Sequence, residues 1–170
     1  MRRILVTFLT LFLLWVIVAL ANQALAGAHL YLFAGGLFVA YAALSLPLRD
    51  GLAAVLLAGL LCDANTPVPF GLHSLLLAAA FTIVFNLRDH VPRDETVARV
   101  TIALLVNLGL FLVLSFALVG RGPVPGAVWP RLIFDLVCSQ VFLALIAPWF
   151  FALQTRALVL ARAEQRDNLA

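Results

Sequence analysis

Residues 46–77 read LPLRDGLAAVLLAGLLCDANTPVPFGLHSLLL. Within this stretch the apolar run Gly51 to Cys62 is bounded by Leu46-Pro47-Leu48-Arg49 on one side and by Asp63 on the other. Twelve helical residues rising about 1.5 Å each cover only ~18 Å. A hydrocarbon core of about 30 Å needs roughly 20 residues, so the run is too short to cross a membrane as a plain helix. The following Asn65-Thr66-Pro67-Val68-Pro69-Phe70-Gly71 holds two prolines, each without a backbone donor, and cannot continue a helix. Gly71 offers a permissive turn before the next apolar run. Irregular backbone at membrane depth survives only where protein covers it or water reaches it. The stretch therefore predicts a short or broken third segment, re-entrant around Asp63.

Composition sets the membrane context. The chain has 170 residues, 65% hydrophobic and 11% charged, with 11 arginines and no lysine. Its mean hydropathy is +1.12. Soluble domains run near half apolar and about a quarter charged, and this chain has too few charges to cover a globule. Disorder, fibrous repeats and a disulfide-stapled secreted scaffold are excluded by the same figures. Six apolar segments stand out: Ile4 to Ala21, Leu30 to Leu46, Gly51 to Cys62, Leu72 to Leu87, Val97 to Val119 and Leu132 to Leu153. Short connections rich in proline and glycine, such as Gly122-Pro123-Val124-Pro125-Gly126, leave no room for a folded loop domain. The expectation is an all-α polytopic membrane protein of six transmembrane segments, one domain over 1–170, with 154–170 a short basic cytoplasmic tail.

The arginines orient it. Arg2, Arg3, Arg49, Arg88, Arg93, Arg99, Arg156, Arg162 and Arg166 fall on one face if all six segments cross, and Arg121 and Arg131 on the other. Nine against two is a strong positive-inside bias and predicts both termini in the cytoplasm. The basic character then reports topology and attraction to anionic lipid, not a nucleic-acid partner. Met1-Arg2-Arg3, an apolar run and Ala24-Leu25-Ala26 have the form of a cleavable signal. The run is too long for one and carries Trp15, so a retained first span is expected.

Charged groups inside a bilayer cost about 2.5–3.5 kcal/mol on insertion scales, so each needs a reason. Asp63 either accepts hydrogen bonds from freed backbone donors and caps the next helix, or pairs with a buried cation or ligand. Under alternating topology Arg131, Asp135 and His73 share its outer layer. Asp63 is expected to pair with Arg131 or His73 across helices, and Arg131 with Asp135 four residues on. Asn86, Asn107, Ser115 and Gln140 are read as interhelical hydrogen-bonding groups. Ala54, Ala58 and Gly59, with Gly35 and Gly36, provide small faces for close helix packing.

Cys62 and Cys138 lie in apolar runs, without a His or second Cys at ligand spacing, and read as buried hydrophobes. Cys62, His73 and Asp135 include the residue types of a nucleophile triad, but no nucleophile motif, P-loop or dinucleotide fingerprint accompanies them. Neither enzymatic activity nor a metal or cofactor is expected.

Leu46-Pro47-Leu48-Arg49, Gly51, Gly59, Asp63 and the run Pro69-Phe70-Gly71-Leu72-His73-Ser74-Leu75-Leu76 resemble the signature of the MreD family of rod shape-determining membrane proteins. In that family a Leu-Pro-x-Arg turn leads into a short glycine-containing helix ending in Asp, and a Gly-Leu turn opens the next span. Pro47, Arg49, Gly59, Asp63 and Gly71 match position by position, whereas Ala64-Asn65-Thr66-Pro67-Val68 depart from the family's small polar residues. The similarity covers about 35 residues. It implies a non-enzymatic inner-membrane component of the cell-wall elongation machinery. It would associate with MreC and with the complex of MreB, RodA and its penicillin-binding partner. It also implies a fold like the substrate-binding subunits of energy-coupling-factor transporters, without transferring a ligand. The competing function is a small-molecule binding or transport subunit with a pocket around Asp63. A single broken element argues against a symmetric transporter, which would show two.

Overall fold

The computed structural model describes residues 2–66, 69–90, 96–119 and 128–167. These residues fold into six α-helices: α1 (Arg2–Leu25), α2 (Gly35–Ser45), α3 (Leu48–Asn65), α4 (Leu72–Leu87), α5 (Thr96–Val119) and α6 (Trp129–Asp167). Among them α1, α4 with the turn after it, α5 and α6 are long and apolar enough to cross a membrane. An all-α multi-pass membrane protein requires such helices. The outer surface agrees with a lipid setting, since Leu5, Leu9, Phe116, Leu145 and Trp149 all stand exposed. The Gly122 to Gly126 connection, Pro67-Val68, Arg93 and Arg121 lie outside the described residues.

Five helices enclose the sixth. Each neighbouring pair in the order α1, α3, α4, α5, α6 and back to α1 is in contact, and α2 packs on α3, α4, α5 and α6. Every residue from Gly35 to Leu44 is buried. Close approach explains part of this. A Cβ on Gly36 would lie 2.8 Å from Asn107 Cβ and 2.9 Å from Asn107 N, so α2 can seat against α5 only without a side chain there. On α3, Ala54, Ala58 and Gly59 are buried as the small-residue reading expects.

The third segment is longer than the Gly51 to Cys62 run, and the irregular backbone expected around Asp63 begins just after it, at Thr66. α3 is one continuous helix of 18 residues, ~27 Å long, because Arg49, Asp50 and Asp63 interrupt hydropathy without interrupting helical backbone. The second segment is broken within its apolar run. Leu30 to Leu46 was expected to be helical throughout, but residues 30–34 are not, and α2 has only 11 residues, ~16 Å. Five non-helical residues reach at most ~17 Å more, so helix and lead-in together match a hydrocarbon core of about 30 Å. No proline or glycine occurs within Leu30 to Ala34, which is why breaker patterns do not reveal it. α1 prepares the turn: after the 3₁₀ turn Ala26–Ala28, His29 adopts the left-handed conformation (φ 54°) common just past a helix end. At the other end, α6 continues past Leu153 to Asp167, with Gln154 and Leu158 still buried in the bundle.

Candidate functional site

The α3–α4 hairpin contains most of the motif. Pro47 stands at the N-cap of α3, and its carbonyl accepts from Gly51 N at 2.9 Å. Arg49 is exposed at this corner. Gly71 opens α4 with φ 94°, a left-handed conformation that favours glycine, and nothing crowds the place where its Cβ would be. A glycine at the N-cap has no side chain to satisfy the orphan amides of the first turn. Asp63 supplies that cap from α3.

Asp63 is 4% exposed, and both its oxygens are engaged. Oδ1 accepts from His73 N at 2.8 Å and lies 3.0 Å from His73 Nδ1. Oδ2 accepts from Ser74 N at 3.1 Å and from Ser74 Oγ at 2.7 Å. An ionised carboxylate can only accept, so the contact assigns an imidazole proton to Nδ1. The negative charge faces the positive end of α4, where helix dipole and amides both favour it. Gly59 makes this reach possible: a Cβ there would lie 3.0 Å from both Ser74 N and Ser74 Oγ, forcing α3 away from α4. Backbone capping and pairing with His73 are thus realised together. Both oxygens are occupied by donors of the chain itself.

Arg131 is exposed near the start of α6 and forms no ion pair with Asp63 or Asp135 among the described residues. The expected local Arg131–Asp135 pair is replaced by a backbone contact. Asp135 is buried, and its Oδ1 accepts from Tyr31 N at 3.1 Å. That bond belongs to a second constellation, a polar cradle around residues 31–36. Asn22 on α1 works like a strand partner: its Oδ1 accepts from Leu32 N at 2.6 Å and its Nδ2 donates to Leu32 O at 3.0 Å. Ser139 Oγ on α6 accepts from Phe33 N at 2.9 Å, and Asn107 Oδ1 on α5 accepts from Gly36 N at 3.1 Å. Four polar side chains from three helices therefore replace the hydrogen bonds that helix would have made. An unsatisfied backbone group in hydrocarbon costs several kcal/mol, which is the reason such an array exists. Arg88 serves the other end of α2, donating from Nη1 to Leu46 O at 3.2 Å while its guanidinium lies 3.7 Å over the Phe85 ring. A cation at a helix C-terminus is favourable to the dipole.

Of the polar residues singled out from sequence, Asn107 bonds Gly36 as above and Gln140 donates to Leu104 O at 3.2 Å, whereas Asn86 is exposed on α4. Cys62 and Cys138 are free thiols, each half-buried. Asn22, Ser139 and the capping role of Arg88 were missed. A signal exists for the first two: each opens a polar pair flanked by apolar residues, Asn22-Gln23 and Ser139-Gln140, and Ser139 stands one helical turn from Asp135. Among the described residues no group of three or more His, Cys, Asp or Glu side chains is placed to hold a metal ion. Compared with protein-family models, curated proteins and solved structures, the chain matches none of them.

Proposed function

We propose that the chain is a non-enzymatic, MreD-type component of the bacterial cell-wall elongation complex in the inner membrane. In this reading it crosses the membrane six times with both termini in the cytoplasm. Leu30 to Leu46 completes one crossing and α3 another. It scaffolds MreC and links it to the peptidoglycan synthesis machinery. The observation that carries the reading is the motif at residues 46–76 together with its geometry. Gly59, Asp63 and Gly71, matched as a linear pattern, act jointly where α3 meets the start of α4, and Pro47 begins the first helix of the same hairpin. Residues that hold one another in place have a physical reason to occur as a set. The resemblance to energy-coupling-factor substrate subunits is part of the same proposal.

A small-molecule binding or transport subunit is the second reading. The interrupted segment at residues 30–34 favours it, because broken helices line substrate sites in transporters. It is still a single interrupted segment among the described residues, where a symmetric transporter would show two. The Asp63 carboxylate itself is occupied by His73 and Ser74, so such a site would have to lie at the cradle instead. The experiment is depletion of the chain in its host with affinity purification of a tagged copy. Rounded cells and stoichiometric recovery of MreC are expected. Normal rods, with stabilisation of the purified protein by a soluble ligand, would overturn the scaffold reading.

A further inference from the structure

Where α1 meets α6, Thr7, Thr10 and Gln154 form an uncharged polar cluster inside the bundle. Thr7 and Gln154 are each 2% exposed. Gln154 Nε2 donates to Thr10 Oγ1 at 3.3 Å, and Thr10 Oγ1 donates to the Thr7 carbonyl at 2.8 Å. These two bonds orient the Gln154 amide: its nitrogen must face Thr10, whose only hydroxyl hydrogen is already committed, and its oxygen faces elsewhere. Gln154 Oε1 and Thr7 Oγ1 are then both buried with no partner among the described residues. A buried polar atom without a partner costs ~1–3 kcal/mol. Both residues meet Thr10, Thr7 through its carbonyl and Gln154 through its amide nitrogen, and Thr7 and Thr10 are three apart on one helical face.

We propose that a single water molecule bridges Thr7 Oγ1 and Gln154 Oε1, donating to the amide oxygen and tying α1 to α6. The chemistry of the site selects a small neutral dipole. None of the three side chains carries charge, so nothing offsets the desolvation of an ion. Leu11, Leu14 and Leu158 follow one turn along the same helices and are buried, so a larger polar ligand would meet apolar walls. Buried waters take such places, meeting two to four otherwise unsatisfied groups.

The test is a thermal-unfolding cycle on the full-length protein in detergent, with Thr7→Val, Gln154→Met and the double variant. Valine keeps the β-branched shape of threonine and puts a methyl group in place of the hydroxyl. With the water present, Thr7→Val lowers the unfolding midpoint by about 2–4 °C, the shift that ~1 kcal/mol produces in a protein of this size. The double variant then loses less than the sum of the single losses, because the first substitution has already broken the bridge. A midpoint unchanged or raised by Thr7→Val would overturn the proposal, as would strict additivity, which places the hydroxyl on its own helix. Should Gln154→Met fail to fold, an experimental structure of the unaltered protein that resolves ordered water decides it. Density between the two oxygens is expected. A Thr7 hydroxyl bonded to protein, with no density there, would refute the bridge.

Discussion

Asp63 shows what one side chain contributes to this fold. It meets four donors, two of them backbone amides at the start of α4. Asp63→Asn keeps one acceptor oxygen but turns an amide NH₂ toward groups that also donate, so it loses part of the cap. Asp63→Leu leaves both amides unsatisfied. Hydrogen bonds to charged groups contribute about 1.5–3 kcal/mol, so Asn is expected to lower stability by roughly that amount and Leu by more. Thermal unfolding of the purified variants measures the order; Leu equal to or better than Asn would contradict the capping role. The residue is conspicuous in sequence because a carboxylate beside apolar runs demands a partner. Its partners could not be chosen from sequence, because Arg131 and His73 are equally plausible until the hairpin closes and places His73 Nδ1 3.0 Å away.

At the level of elements, α2 is too apolar and too short to hold its position by itself, and it is held by its neighbours. Gly36 sits where α5 comes closest, while Gly109 on α5 has open space at its Cβ position. Gly36→Ala is expected to destabilise by about 1–3 kcal/mol through overpacking against Asn107. Gly109→Ala is expected to be neutral or to stabilise by up to about 1 kcal/mol through helix propensity. Denaturant or heat titration of the two variants side by side checks the contrast, and equal effects would mean that α2 does not seat as described. The interruption at residues 30–34 was not readable locally. Five apolar residues without proline or glycine satisfy any helix pattern, and only side chains of other helices, such as Ser139 on Phe33 N 106 residues away, make the non-helical backbone stable. The length of α3 was misjudged for the opposite reason: Arg49, Asp50 and Asp63 shorten the apolar run without interrupting helical backbone, and the helix ends only at Asn65, before the prolines.

For the whole molecule, the arginine distribution makes the sharpest prediction. A fluorescent protein fused after Ala170 is expected to fluoresce in the cytoplasm, and alkaline phosphatase inserted near Arg121 to be active outside it. An active phosphatase at the C-terminus would refute the orientation. What the sequence determined by itself was the solvent and the material of the fold. Composition dictates lipid, and in lipid every backbone group must be satisfied internally, so the apolar runs become helices, with ends close to those read from the chain for α1, α4 and α5 but not for α2, α3 and α6. Which helix lies at the centre was decided only by the tertiary structure. In a water-soluble protein apolar periodicity marks the buried face, but here lipid-facing and core-facing positions are both apolar, as Trp149 and Leu143 on one helix illustrate. The few polar side chains carry that information instead. Asn22, Asn107, Asp135 and Ser139 all point inward to one short segment, and a role that depends on four residues from three helices exists only once those helices have packed.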